Sequence, residues 1–167
     1  MIITRTPYRI SLFGGGTDYP VWYEKYGGTV LSATIDKYCY ISVRHLPPFF
    51  DHKYRIVWSK IETAKTRNEI EHKAVKACLE YLNSDEEKGY EIHHDGDLPA
   101  RSGMGTSSAF TVGLLHALHE LKGMSINRGQ LAREAIHVER NILKEEVGSQ
   151  DQIAVTYGGM NKISFGT

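Results

Sequence analysis

Leu98-Pro99-Ala100-Arg101-Ser102-Gly103-Met104-Gly105-Thr106-Ser107-Ser108-Ala109-Phe110 carries a Gly- and Ser-rich loop straight into an apolar segment. Phe110, Leu114, Leu118 and Leu121 recur at three- and four-residue spacing and Lys122-Gly123 supplies a stop, so the run predicts a helix over residues 106–121. A glycine loop opening a helix is the layout of a phosphate cradle. Glycines let backbone approach an anion, and the unpaired N–H groups of the first turn, helped by the helix dipole, point at it. Taken alone, such a loop is more often an ordinary N-cap turn. It is not a Walker A loop, because no lysine stands between Gly103 and Leu121. Nor is it a dinucleotide fingerprint, which needs a third glycine and an acidic residue ending the next strand.

Two further segments raise its standing. Near the N-terminus, Thr6-Pro7-Tyr8-Arg9-Ile10-Ser11-Leu12-Phe13-Gly14-Gly15-Gly16-Thr17-Asp18-Tyr19 is a strand-like run that breaks into three glycines and delivers an aspartate. Near the C-terminus stand Glu139, then Val147-Gly148-Ser149-Gln150-Asp151-Gln152, then Tyr157-Gly158-Gly159. In this order the three motifs resemble the GHMP kinases, the small-molecule kinases that include galactokinase, homoserine kinase, mevalonate kinase and phosphomevalonate kinase. The resemblance covers almost the whole chain. Gly14 to Pro20, Thr34 to Tyr40, His93 to Gly105 and Glu146 to Gln152 look most like the bacterial D-glycero-D-manno-heptose 7-phosphate kinases, which phosphorylate the anomeric hydroxyl at C1. Members of the family generally run to about twice this length with a second, C-terminal α/β domain. Residues 1–167 therefore correspond to the N-terminal, ATP-binding domain, with the C-terminal domain absent from this stretch.

The composition is that of an ordinary globular domain: 41% apolar and 24% charged residues over 167 positions. Twenty basic residues balance twenty acidic ones, which argues against bulk binding to nucleic acid or a membrane surface. Met1-Ile2-Ile3-Thr4-Arg5 does not read as a signal peptide and no apolar run reaches membrane-span length, so a cytoplasmic location is expected. Cys39 and Cys78 read as core residues, not as a disulfide.

Patterning predicts strands over residues 2–6, 9–13, 29–35, 38–44, 54–59, 90–94 and 162–165, and helices over 68–82, 106–121 and 128–144, the last behind an Asn127…Gln130 capping pair. Strands fill the first half and helices the second. That implies an α+β, two-layer sandwich, a mixed sheet with helices on one face.

The resemblance also implies roles. Phosphoryl transfer needs a phosphate cradle, a magnesium site, a cation and a base for the acceptor hydroxyl. Gly103, Met104, Gly105, Thr106, Ser107 and Ser108 would hold the ATP phosphates, with Ser107 and Glu139 as protein ligands to Mg²⁺. Arg101 stands where many relatives carry glycine, and reads as a solvated loop residue or an added phosphate contact. Asp151 matches the catalytic aspartate and Arg9 its basic partner. The plain reading of Asp151 is an Asx turn just past a helix end, and of Glu139 a solvated residue paired with Lys144. Gly15, Gly16, Thr17 and Asp18 would line the acceptor side, Asp18 bonding sugar hydroxyls. Galactokinases carry Glu-His where this chain has Gly15-Gly16, so the pocket should be roomier there and suit a bulkier or phosphorylated sugar.

His93-His94 with Asp95 and Asp97 alternates along a strand end and should point to opposite faces, and His137-Val138-Glu139 lacks the cysteines of a zinc deaminase, so no zinc site is expected. Trp58 and the five tyrosines from Tyr8 to Tyr38 read as packing residues, although an aromatic near the loop after Trp58 could flank adenine. The function implied is ATP-dependent phosphorylation of a sugar phosphate, with another sugar 1-kinase, of fucokinase or galactokinase type, or a non-catalytic sugar or nucleotide sensor as alternatives. The sequence leaves the oligomeric state open, a homodimer included.

Overall fold

The computed structural model describes residues 1–85 and 87–166. Six strands make one mixed sheet: β1 (Ile2–Phe13), β2 (Gly28–Leu46), β3 (Tyr54–Val57), β4 (Ile61–Ala64), β5 (Gly89–Gly96) and β6 (Met160–Phe165). Their order is β1-β2-β5-β3-β4, with β6 lying against the first half of β2. Among the described residues, only β3 and β5 run parallel; the other pairs are antiparallel. The expected two-layer α+β sandwich is what the chain forms.

Alternation along the strands sets the layers. Ile41, Val43, Ile56 and Ile92 point to one face and are at most 1% exposed. They share one hydrophobic core with Leu114, Leu115 and Leu118 of α3 (Thr106–Leu121), which lies on β1 and β2, with Val75 and Leu79 of α2 (Lys73–Tyr81), and with Leu131 and Ala135 of α4 (Arg128–His137). The α3 helix lies close on the sheet because Gly113 has no side chain: a Cβ there would sit 2.9 Å from Thr6 Oγ1, and Thr4 Oγ1 donates to the Gly113 carbonyl at 2.9 Å. Both cysteines are buried and unbridged, as expected.

Several elements differ from the expectations. Residues 2–13 and 28–46 each form one continuous strand where two were expected, because register shifts at Pro7/Arg9 and Ser11/Phe13 absorb the breaks. Proline has no N–H for the ladder, and the irregularity beside it re-aims Arg9. Four elements escaped the periodicity: α1 (Pro20–Tyr26), which buries none of its residues; the four-residue β4; a 3₁₀ turn at Arg67–Glu69; and α5 (Gln150–Tyr157), whose first turn is polar. The helix expected over 128–144 is α4 followed by a π-helical turn, Val138–Ile142, in which Leu143 N donates to Val138 O at 2.9 Å. Lys144, at a φ of 55°, ends it.

Candidate active site

The loop before α3 turns through left-handed residues, with φ of 63° at Arg101, 76° at Gly103 and 71° at Gly105. Helical bonding begins where Ala109 N donates to Gly105 O, so the N–H groups of Thr106, Ser107 and Ser108 precede the ladder. Gly103 opens onto free space, Arg101 and Ser107 are exposed, and the Ser107 hydroxyl stands at the rim of the first turn. This is a cradle with room for an anion.

Arg9 fastens that cradle to β1. Its N–H donates to Met104 O at 3.0 Å and its Nη1 to Gly103 O at 2.8 Å. The same guanidinium forks onto Asp151, Nε to Oδ1 at 2.8 Å and Nη2 to Oδ2 at 2.6 Å. A side chain at Gly105 would press on both partners, 3.2 Å from Arg9 Cγ and 3.6 Å from Asp151 Oδ2. Asp151 is the second residue of α5 and not a turn residue, so the Asx-turn reading falls. Burial raises its pKa above the ordinary carboxylate range; Arg9 pulls the other way, and the negative charge of Asp18 adds to the rise.

Glu139 sits in the π turn, 1% exposed, deeper than a helix flank. Its Oε2 accepts from Ser108 Oγ at 2.9 Å and from Gln152 Nε2, and Lys144 is not among these partners. Its Oε1 is buried without a hydrogen bond. Burial raises its pKa, while Gln152, Thr111 and Ser108 favour the ionised form. A buried carboxylate oxygen lacking a donor is a place for a hard cation, so Glu139 fits Mg²⁺ as one of few protein oxygens.

The acceptor-side loop closes on itself and on α5. Thr17 Oγ1 donates to Gly14 O at 2.8 Å and accepts from Thr29 N at 3.2 Å. Asp18 is 1% exposed: Oδ1 accepts from Gly16 N and Gln150 Nε2 and Oδ2 from Gln150 N, each at 3.1 Å. Gly148 lies so close that a Cβ would sit 1.8 Å from Asp18 Oδ2. Gly15 and Gly16 are exposed, and nothing stands within 4 Å of a Cβ at Gly16.

The structure thus brings together Arg9, Asp151 and the loop of residues 103–105, places Ser108 on Glu139, and joins Asp18 to α5. Gln150 and Gln152, unassigned in the sequence, are the joints. They were visible in Glu146 to Gln152 as the residues flanking Asp151. His93 and His94 do point apart: His93 Nε2 meets Glu91 Oε1 at 3.0 Å, while His94 packs edge-on against Phe110 on the helix side. Trp58 stands edge-on to His72, with ring centroids 4.8 Å apart.

Residues 59–159 match the model of the GHMP kinases N terminal domain. Over 171 aligned positions the chain is 32% identical to the D-glycero-alpha-D-manno-heptose 7-phosphate kinase of Campylobacter jejuni, covering 98% of this chain and 50% of that protein. This chain belongs to the GHMP kinase family. A galactokinase of Pyrococcus furiosus is 27% identical over 98% of this GHMP domain and 46% of its own length. The crystal structure of a D-glycero-D-manno-heptose 1-phosphate kinase from Bacteroides thetaiotaomicron superposes with a TM-score of 0.88 at 28% identity, covering 98% of this chain and 56% of that one. The GHMP domain described here spans about half the length of the curated relatives it matches. Among the described residues, no helix is long and apolar enough to cross a membrane.

Proposed function

We propose that this protein is a cytoplasmic, ATP-dependent sugar kinase that transfers the γ-phosphoryl group to the C1 hydroxyl of D-glycero-D-manno-heptose 7-phosphate. The observation that carries this reading is the Arg9 fork, which ties the candidate base Asp151 and the phosphate loop to one guanidinium. Arg9 favours the ionised form of Asp151, which then accepts the C1 hydroxyl proton as the sugar oxygen attacks phosphorus and ADP leaves. The N–H groups of Thr106, Ser107 and Ser108, with Gly103, Met104 and Gly105 shaping the turn, hold the phosphates. Ser107 and Glu139 would hold Mg²⁺, which when bound neutralises phosphate charge. Gly15, Gly16, Thr17 and Asp18 form the acceptor side, where Gly16 leaves the open edge a large sugar phosphate needs.

The test is a panel of free sugars and sugar phosphates incubated with Mg-ATP and scored for ADP release. The heptose 7-phosphate should give the highest kcat/KM. Faster turnover of galactose or fucose would overturn the substrate, and no release with any of them would favour a sensor.

A further inference from the structure

Gln152 is fully buried on α5, one residue beyond the candidate base, and its side-chain amide donates to Glu139. Glu139 is bonded unevenly. Two donors, Gln152 Nε2 and Ser108 Oγ, reach the same oxygen, Oε2, while Oε1 is buried without a hydrogen bond. Two donors on one oxygen fix the plane of the carboxyl group and occupy the lone pairs that a two-oxygen grip on a metal would use. They come from different elements, α3 and α5, so the carboxyl cannot rotate without breaking contact with one of them.

We infer that Gln152 and Ser108 are positioning residues that make Glu139 a one-oxygen ligand, and that this arrangement favours Mg²⁺ over Ca²⁺. The inference rests on the reading of Glu139 as a metal ligand. Mg²⁺ requires near-ideal octahedral geometry, keeps several waters and takes one or two carboxylate oxygens, whereas Ca²⁺ accepts six to eight ligands and readily takes a carboxylate through both oxygens. A carboxyl group with one oxygen engaged by the protein serves the smaller ion. Partners that orient a ligand in this way typically change metal affinity by about 10- to 100-fold when removed.

The experiment measures ATP affinity of the 167-residue protein by calorimetry without metal, with Mg²⁺ and with Ca²⁺, alongside thermal unfolding of each variant. The unsubstituted protein should gain affinity with Mg²⁺ and less with Ca²⁺, and Glu139→Gln should lose the gain. Gln152→Met, which keeps the side chain's bulk and removes its donor, should leave metal-free affinity unchanged, weaken the Mg²⁺ gain about tenfold and narrow the preference over Ca²⁺. Ser108→Ala, which keeps the backbone N–H assigned to the phosphates, should weaken the Mg²⁺ gain to a smaller extent, and it decides the matter if Gln152→Met does not fold. A gain lost in Glu139→Gln but retained with unchanged ion preference in folded Gln152→Met, or in Ser108→Ala, overturns this inference alone. A gain untouched by Glu139→Gln overturns the metal reading of Glu139 and this inference with it.

Discussion

Among the described residues, Asp151 and Glu91 are both gripped by arginine, and their pKa values move in opposite directions. Asp151 shares the Arg9 fork at the mouth of the phosphate loop. Glu91 lies on the sheet face away from the helices, level with Arg44 on β2 and Arg55 on β3, and bonds Arg44 Nε, Arg55 Nη1 at 2.8 Å and His93 Nε2 at 3.0 Å. The Glu91 side chain is 4% exposed and that of Asp151 25%, yet the pKa of Glu91 is lowered and that of Asp151 raised. Glu91 is covered by cations that are themselves wet: burial pushes its pKa up, but His93 and Arg44 outweigh it. Asp151 is covered by protein, has one guanidinium, and faces Asp18. Enclosure by hydrated charge makes a carboxylate a fixed anion, whereas enclosure by protein beside a single cation leaves it proton affinity to use.

The largest effect that can break this contrast is on turnover. Asp151→Asn should lower ADP release by roughly two to four orders of magnitude, while Glu91→Gln should leave it within about twofold. Equal losses would mean that both are structural. Stability should divide in the other sense. Arg9→Met strips a mostly buried carboxylate of its partner and should cost about 3 kcal/mol in urea unfolding. Arg55→Met should cost about 1 kcal/mol or less, since Arg55 is 37% exposed and Glu91 retains Arg44.

Acid sharpens the contrast. Because the folded pKa of Glu91 is depressed, its contribution to stability is present above the ordinary glutamate value of 4.5 and is lost as pH falls through the folded value. Asp151 should set the acid limb of kcat/KM, above the ordinary aspartate value of 3.8, and Arg9→Met should move that limb to higher pH. An unmoved limb would separate Arg9 from the ionisation of Asp151.

The smallest effect is at the core. Burial pushes the Cys39 thiol up to about 12, so its contribution to stability, complete below the ordinary value of 9.0, declines as pH rises toward 12. Disulfide-exchange reagents at pH 8 should label Cys39 and Cys78 only after denaturant is added. Rapid labelling of the folded protein would show an opening that the buried positions do not predict.

Much of this is legible in the sequence alone. The helix at Thr106–Leu121 was marked at both ends, by the glycine loop and by Lys122-Gly123, and Arg9, Asp151 and Glu139 stood in motifs. The α5 helix was hidden because the first turn spends its side chains on three other segments, Gln150 on Asp18, Asp151 on Arg9 and Gln152 on Glu139, leaving no apolar stripe to read. The depth of Glu139 was hidden by the π turn, which shifts the helical phase that places residues on a face. The α1 helix buries nothing and so carries no periodicity at all.

The Arg9–Asp151 pair joins residues 142 positions apart, and the Gln150–Asp18 contact spans 132. A ribosome releases the N-terminal partners of these contacts long before α5 exists. Through most of synthesis Arg9 waits without Asp151 and Asp18 without Gln150, whereas Glu139 follows Ser108 by 31 residues and precedes Gln152 by 13. When α5 emerges, three consecutive residues complete all three contacts. A nascent chain that had not reached residue 150 would lack the candidate base, so Asp151 joins the phosphate loop only once α5 has formed, in one step and not by degrees.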